Sequence, residues 1–323
     1  MPRVAGIDCG TNSIRLLVAD CDPATGELVE LDRRMTVVRL GQDVDRTGRL
    51  APEALERTFA ACRAYAEVIK ELGAERIRFV ATSASRDAEN RDEFVRGVLD
   101  ILGVEPEVIS GDQEAAFSFT GATRELTGAD HLDKPFLVVD IGGGSTEFVV
   151  GADTVRAARS VDVGCVRMTE RHLVVDGVVT DPPTEAQIDA VRADIDAALD
   201  LAAASVPLAE ARTLVGLAGS VTTVAAIALG LTAYDSQAIH HSRISYEQVR
   251  EVTGRMLAST HAERAAIPVM HPGRVDVIGA GALVLLAVME RIGAREVVVS
   301  EHDILDGIAI SAAEEAEGVR RSS

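Results

Sequence analysis

The feature that most constrains the fold of this chain is a pattern that occurs twice. The segment FLVVDIGGGSTEFVV, residues 136–150, aligns without a gap on VAGIDCGTNSIRLLV, residues 4–18. Each copy predicts a hydrophobic strand ending in an aspartate, Asp8 or Asp140, then a glycine-containing turn and a second hydrophobic strand. Two hairpins can look alike by chance, but a third strand expected after the second copy, over Val155–Val161, favours a duplicated domain.

The remainder of the chain alternates strand and helix signals, which is typical of an α/β fold. Apolar spacing predicts a helix over Pro52–Leu72, with a proline in its first turn and Gly73 at its end. Further helices are expected over residues 91–102, from about 112, and over 184–203, 247–257, 276–292 and 304–317. With 323 residues the chain suits two domains, which we predict as 1–128 and 129–323.

Charge and composition exclude several classes of protein. The formal net charge is −19, so generic binding to DNA or RNA is not expected. Residues 213–234 carry no charge, but the glycines and threonines within them favour a buried strand, turn and helix over a membrane span. The N-terminus lacks a signal-peptide pattern, and the four cysteines lack metal-ligand spacing, so we expect a cytoplasmic protein with reduced thiols.

The two turns, residues 8–13 and 140–145, suit anion binding. Glycine lets the backbone approach closely, so several N–H groups can converge on one phosphate, and Ser13 or Ser145 adds a hydroxyl. An aspartate beside phosphate is unfavourable unless a cation intervenes, and Mg²⁺ prefers one or two carboxylates together with phosphate oxygens. The two copies therefore predict a polyanionic phosphate substrate and a divalent metal.

The copies differ in charge, because Arg15 aligns with Glu147. The first turn keeps a cation nearby, whereas the second has two carboxylates, Asp140 and Glu147. We therefore expect the first turn mainly to hold phosphate and the second mainly to hold metal.

These segments resemble the exopolyphosphatase / guanosine pentaphosphate phosphohydrolase (Ppx/GppA) family. The resemblance runs from Val4 to about Ile310 and rests on six segments in order: GIDCGTNSIRLLV, FVATSASRDAEN, ISGDQEAAFSFTGA, VVDIGGGSTEFV, GLAGSVTT and RVDVIGAGALVL. It implies an α/β fold of two ribonuclease-H-like domains of the actin-like ATPase superfamily, with an interlobe cleft. The chain is similar to the short form of the family, without additional C-terminal helical domains.

The resemblance also implies roles for individual residues. Glu114 falls on the catalytic glutamate that activates the attacking water. The implied ligands of Mg²⁺, with Mn²⁺ as an alternative ion, are Asp8, Asp140 and Glu147. The implied phosphate contacts are Asn12, Ser13, Arg15, Arg86, Gly143, Gly144 and Ser145. Gly219 and Ser220 match a glycine turn that contacts a nucleotide in actin-like ATPases. The alternative for this chain is that the turn only lines the cleft.

Taken alone, the same residues allow simpler interpretations. An acidic residue such as Glu114 is also favoured at a helix N-terminus, where it interacts with the helix dipole. Arg86 could form a salt bridge with Asp87 or Glu89. Arg274 and Asp276 are expected to pair with each other, and the histidines to be structural.

The resemblance implies that the substrate is inorganic polyphosphate or a guanosine polyphosphate, and no motif separates the two. A phosphotransferase on the same fold and a nucleotide-sensing binding protein remain alternatives. A homodimer is expected only because the C-terminal half is rich in apolar residues.

Overall fold

The computed structural model describes residues 1–124, 126 and 132–322, with side chains as far as residue 316. The chain forms two compact units. The first contains Met1–Gly121 together with the chain from Ile304 onward, and the second is Ala122–Asp303. The predicted boundary between residues 128 and 129 lies outside the described residues. The last helix belongs to the first unit and not to the predicted second domain, for a packing reason given below.

The first unit contains five strands and most of its helices lie between them in sequence. Its strands are β1 (Arg3–Cys9), β2 (Ser13–Cys21), β3 (Leu28–Val37), β4 (Arg76–Ala81) and β5 (Glu107–Val108). Its helices are α1 (Val44–Thr47), α2 (Pro52–Leu72), α3 (Ser83–Asp87), α4 (Arg91–Leu102), α5 (Gly111–Thr123, which runs into the second unit) and the last helix (Ile304–Ser322).

The first sheet has the order β3-β2-β1-β4-β5. The three strands β1, β2 and β3 are antiparallel neighbours, whereas β4 and β5 run parallel to β1. β1 lies in the middle of the sheet and is buried along nearly its whole length, so the aspartate at its end is positioned by a rigid strand. Helix α2 begins at Pro52 and ends at Leu72, and Gly73 follows it in the left-handed conformation, as the sequence predicted.

The second unit repeats this arrangement with more elements. Its strands are β6 (Phe136–Ile141), β7 (Thr146–Gly151), β8 (Val155–Val161), β9 (Val174–Val175), β10 (Val178–Val179), β11 (Thr213–Leu217), β12 (Arg243–Ser245) and β13 (Glu296–Val299). Its helices are α6 (Cys165–Met168), α7 (Glu185–Ala203), α8 (Ala218–Ala228), α9 (Ser236–Ile239), α10 (Tyr246–Ala258), α11 (His261–Ala265) and α12 (Ile278–Ile292). The last helix of the chain is α13. Short π and 3₁₀ turns cover Thr169–Leu173, Leu208–Glu210 and Pro272–Arg274.

The second sheet has the order β8-β7-β6-β11-β13-β12. Strands β8, β7 and β6 are antiparallel, β11 and β13 run parallel to β6, and β12 adds an antiparallel edge strand. Apart from that edge strand, order and direction match the first sheet. The predicted fold class, α/β with two ribonuclease-H-like domains, is therefore confirmed.

Helix α13 completes the first unit because its apolar face covers one side of the first sheet. Leu305 and Ala309 pack against Val4 and Leu17, and Ile308 packs against Val80. A glycine at position 307 is required by this approach, since a Cβ there would lie 2.2 Å from the carbonyl oxygen of Phe117. A helix over 304–317 was predicted, but its packing against the first sheet was not.

The uncharged residues 213–234 form β11 and α8, as expected, and no helix within the described residues is long and apolar enough to cross a membrane. All four cysteines are free and buried.

Candidate active site

The two turns singled out by the sequence have the same geometry. Gly10 N donates to Ser13 O over 3.0 Å, and Gly142 N donates to Ser145 O over 3.0 Å. In the first hairpin Asp8 lies opposite Arg15, and in the second Asp140 lies opposite Glu147. Residues that align in the two sequence segments therefore also occupy equivalent positions in the two hairpins.

In the first turn the two charged residues bind each other. The Arg15 guanidinium contacts one carboxylate oxygen of Asp8 twice, through Nη2 at 2.6 Å and through Nε at 3.0 Å. Asp8 is 5% exposed, so this pairing takes place largely out of solvent. The resemblance implied a metal ligand for Asp8 and a phosphate contact for Arg15, whereas the structure places both side chains in one ion pair.

The carbonyl groups of the first turn face a segment behind it. Asn12 O accepts hydrogen bonds from Val38 N (3.1 Å) and Arg39 N (2.8 Å), and Thr11 O accepts from Gly41 N (2.8 Å). In a trans peptide the N–H points opposite to the C=O. The N–H groups of Asn12 and Ser13 are therefore directed away from this backing segment.

The second turn is backed in the same way by the start of α6. Cys165 N donates to Gly142 O (3.0 Å), Val166 N donates to Gly143 O (2.9 Å), and the Arg167 Nε donates to Gly144 O (2.7 Å). The N–H groups of Gly143, Gly144 and Ser145 consequently point away from α6. Such a row of like-directed N–H groups is a binding surface for an anion.

Gly164 makes the backing of the second turn sterically feasible. A Cβ at this position would lie 2.4 Å from the carbonyl oxygen of Gly143 and 2.7 Å from the nitrogen of Gly144. Only glycine allows so close an approach of the two backbones. Gly164 was not selected from the sequence, because its partner lies in a different segment of the chain.

The second hairpin carries two buried carboxylates on one face of its sheet. Asp140 is 6% exposed and Glu147 is 1% exposed, and residues directly opposite on antiparallel strands project to the same side. Ser160, on the neighbouring strand β8, donates its hydroxyl to Glu147 Oε1 over 2.8 Å. Two adjacent buried carboxylates are ligands of the kind that a divalent cation takes.

The donor set fits Mg²⁺. This ion is usually held by one or two carboxylates, with waters and phosphate oxygens completing its shell. The second turn supplies the two carboxylates beside the row of N–H groups. Within the part of the chain that the structure describes, no cluster of three or more His, Cys, Asp or Glu side chains forms a metal cage.

Glu114 and Arg86 form a pair in the first unit. Glu114 lies in the first turn of α5 and is 7% exposed. The Arg86 Nη1 donates to Glu114 Oε2 over 3.2 Å and to the carbonyl oxygen of Ile109 over 3.0 Å. The partner of Arg86 is thus Glu114, where the sequence suggested phosphate or a neighbouring acid. Arg86 fixes the orientation of the Glu114 carboxylate relative to the segment that precedes α5.

The glycine turn at the start of α8 contacts a cation that was not predicted to be a binding residue. The guanidinium of Arg274 lies directly on Gly219, where a Cβ would be 2.3 Å from Nη2, and its Nη1 donates to Thr223 Oγ1 over 2.9 Å. None of the described acids forms an ion pair with Arg274. The predicted pairing of Arg274 with Asp276 is wrong, since Asp276 instead lies 3.3 Å from His261 Nε2.

Arg274 lies close to the second turn. Ser220 packs against Gly281, where a Cβ would be 2.3 Å from the Ser220 hydroxyl and 3.1 Å from the Cβ of Cys165. Burial raises the pKa of the Cys165 thiol, while a hydrogen bond with Ser220 and the charge of Arg274 oppose that shift. Because Cys165 N also bonds to Gly142 O, Arg274, Ser220 and the second turn belong to one neighbourhood at the carboxyl ends of β6 and β11.

Comparison with known proteins gives consistent results. Residues 17–316 match the profile of the Ppx/GppA phosphatase family. The chain is 51% identical to exopolyphosphatase 2 of Mycobacterium tuberculosis over 97% of this chain and 99% of that protein. It is 28% identical to the guanosine-5'-triphosphate,3'-diphosphate pyrophosphatase of Aeromonas hydrophila over 95% of this chain and 58% of that one.

Solved structures agree with these sequence matches. A crystal structure of an exopolyphosphatase-like protein superposes with a TM-score of 0.91 at 46% identity, covering 98% of this chain and 99% of the other. The Aquifex aeolicus member of the Ppx/GppA protein family superposes with a TM-score of 0.77 at 30% identity, covering 100% and 99%.

Proposed function

Because the chain belongs to the Ppx/GppA phosphatase family, we propose that it hydrolyses the terminal phosphoanhydride bond of inorganic polyphosphate and releases orthophosphate. The observation that carries this proposal is the second hairpin, in which the buried carboxylates of Asp140 and Glu147 lie beside a row of outward-directed N–H groups. Such a surface suits a phosphate group and a divalent cation bound together, because the N–H groups bind the anion and the carboxylates bind the cation.

Each turn would bind a phosphate group of the substrate. In the second unit the donors would be the N–H groups of Gly143, Gly144 and Ser145. In the first unit they would be the N–H groups of Asn12 and Ser13, while Asp8 and Arg15 together carry no net charge. Donors fixed in advance by the backing segments stabilise the charge of the transferring group without reorganising during the reaction.

Asp140 and Glu147 would hold Mg²⁺, or Mn²⁺ in its place. Bound there, the ion would neutralise charge on the phosphate oxygens. The Ser160 hydroxyl keeps the Glu147 carboxylate oriented. Arg274, which no described acid neutralises, adds a cation for a phosphate oxygen near the Gly219 turn.

Glu114 would act as the general base. It accepts a proton from the attacking water as the new bond from the water oxygen to the terminal phosphorus forms. The bond from that phosphorus to the bridging oxygen breaks, and its electron pair leaves on the shortened polyphosphate. Arg86 keeps Glu114 in place from its anchor on the Ile109 carbonyl.

Guanosine pentaphosphate is the second candidate substrate, since it also ends in a phosphoanhydride. It is favoured by the similarity to the Aeromonas hydrophila enzyme, but identity and coverage are both higher for the Mycobacterium tuberculosis exopolyphosphatase. We further propose a cytoplasmic location, in keeping with four free, buried thiols. A homodimer stays a prediction.

Phosphate release measured side by side tests the proposal. The substrates are polyphosphates of defined length, guanosine pentaphosphate and ATP, each with Mg²⁺ and with EDTA. We expect orthophosphate from polyphosphate only when Mg²⁺ is present. A higher kcat/KM for guanosine pentaphosphate would select the second candidate, and release from neither substrate would refute both.

A further inference from the structure

Arg264, in the last turn of the short helix α11, is buried, with 4% of the residue exposed. A guanidinium is charged and has five N–H donors, so it can be buried only where its charge and its donors find partners. The charge is balanced by Asp181, whose Oδ1 accepts a hydrogen bond from Arg264 Nη2 over 2.8 Å. Arg264 and Asp181 thus form an ion pair inside the second unit.

The other donors of Arg264 bind main-chain carbonyl groups. Nη1 donates to Ser259 O over 2.6 Å and to Met256 O over 3.4 Å, at the C-terminal end of α10. Such a helix end carries partial negative charge, which favours a cation. Nε donates to Val275 O over 2.9 Å, in the turn that precedes α12. One buried side chain therefore ties together the segment of Asp181, the end of α10 and the turn before α12.

The turn held by Arg264 carries Arg274. Arg274 N donates to His271 O over 2.9 Å, and Arg274 O accepts from Val277 N over 3.0 Å. The next carbonyl along the chain, that of Val275, is the one that Arg264 binds. The main chain of Arg274 is therefore fixed on both sides, and its side chain starts from a defined position.

A defined starting position matters because the Arg274 guanidinium is fitted closely to the glycine turn at the start of α8. A Cβ on Gly219 would lie 2.3 Å from Nη2, and Nη1 donates to Thr223 Oγ1 over 2.9 Å. Thr223 in turn donates its hydroxyl to Gly219 O over 2.6 Å. Binding groups must be held within about 0.5 Å of their productive position, and supporting residues provide that precision. The hydrogen-bond partners of Arg264 lie outside the candidate active site, so any effect of Arg264 on the site is indirect.

We infer that Arg264 is a positioning residue that holds Arg274 in place for a phosphate oxygen of the substrate. This inference rests on the proposed function, in which Arg274 contacts phosphate. A buried ion pair generally adds little net stability compared with apolar side chains of similar size. The benefit of pairing Arg264 with Asp181 is instead a fixed turn, which apolar side chains would not hold by hydrogen bonds.

Hydrogen exchange followed by mass spectrometry tests the position of the turn without any need for activity. Arg264→Lys keeps the buried charge but replaces the planar guanidinium by a single ammonium group, which cannot bind all of the same oxygens. We expect peptides that cover residues 270–278, including the amides of Arg274 and Val277, to exchange at least about tenfold faster in this variant than in wild type.

Kinetics on polyphosphate of defined length connect the turn to the substrate. Arg274→Ala should raise KM by about 10- to 100-fold, as for a lost hydrogen bond to a charged group. Arg264→Lys should raise KM at least about threefold and leave kcat within about twofold, as for lost substrate binding. In the double variant Arg264→Lys/Arg274→Ala, KM should equal that of Arg274→Ala, because Arg264 then has no group to position.

Arg33→Lys is the matched control. The half-buried Arg33 binds the buried Asp306 in the first unit, so the change weakens a comparable ion pair away from the turn. It should lower the Tm without changing KM or the exchange of residues 270–278. If Arg264→Lys does not fold, Arg264→Met/Asp181→Asn removes both charges together with the Val275 contact and is judged by the same criteria.

Unchanged exchange of residues 270–278 in Arg264→Lys would overturn the inference. A KM in the double variant that multiplies the two single effects would also overturn it, because Arg264 would then act by another route. Failure of the proposed function gives a different result: the wild type releases no phosphate, or Arg274→Ala keeps the wild-type KM, while the exchange of residues 270–278 still changes. In that case Arg264 positions the turn, and the role of Arg274 toward phosphate is refuted.

Discussion

Replacing Glu147 by glutamine tests whether the second hairpin holds a metal ion. Asp140 and Glu147 lie directly opposite each other and are almost fully buried. Glu147→Gln removes one carboxylate charge and keeps an oxygen that accepts the Ser160 hydroxyl. The variant therefore loses one proposed metal ligand and keeps the size of the side chain.

Mg²⁺ at 100 times its Kd should stabilise the wild type by about 2.7 kcal/mol. For a unit of this size each kcal/mol corresponds to about 2–4 °C, so we expect Mg²⁺ to raise the Tm of the second unit by about 5–11 °C. This rise should be much smaller in Glu147→Gln, because the variant has lost a ligand. Phosphate release should fall at least about 100-fold.

Thermal melts with and without Mg²⁺, combined with phosphate release, measure both effects. Glu247→Gln, at an exposed position in the first turn of α10, is the control and should change neither of them. An unchanged Mg²⁺-dependent shift in Tm would show that Glu147 does not hold the metal.

Three further changes test the remaining parts of the site. Glu114→Gln should lower kcat by 10²–10⁴ with an unchanged circular dichroism spectrum, and full activity would remove Glu114 as the base. Arg86→Ala should lower kcat while leaving KM for polyphosphate near wild type, since Arg86 contacts Glu114 and the Ile109 carbonyl; a rise in KM alone would mean that it binds substrate instead. Gly164→Ala should destabilise the protein by about 1–3 kcal/mol in denaturant titrations, because the new Cβ would overlap Gly143. Gly254→Ala, in open space on α10, should be neutral or stabilising by up to about 1 kcal/mol, and equal effects of the two changes would refute the steric argument.

The local features of the fold were predictable because they depend on neighbours in sequence. Continuous apolar runs predicted β1 and β6, and the spacing within Pro52–Leu72 predicted a helix with those bounds. The gapless alignment of the two hairpins placed Arg15 near the first turn and Glu147 near the second. In the structure these two residues lie opposite Asp8 and Asp140, respectively.

The contacts between distant segments were not predictable in the same way. Arg86 meets Glu114 only because β4 and the segment before α5 lie side by side, and its guanidinium could equally have reached a nearby acid. Arg274 was matched to Asp276 by proximity in sequence, but the turn before α12 directs it to Gly219. A side chain with many rotatable bonds takes the partner that tertiary packing brings within reach, and spacing along the chain does not encode that choice.

The position of α13 also determines the order in which the protein can be completed during synthesis. The surface formed by Val4, Leu17 and Ala19 on the first sheet is covered by Leu305, Ala309 and Ala312, which leave the ribosome only after every residue of the second unit. Domains generally fold as units as the chain emerges. The second unit can therefore close while the first, although it begins the chain, still exposes an apolar face. Until the whole of the second unit has been translated, this exposed apolar face can associate with other chains, so the nascent protein must avoid aggregation during that time.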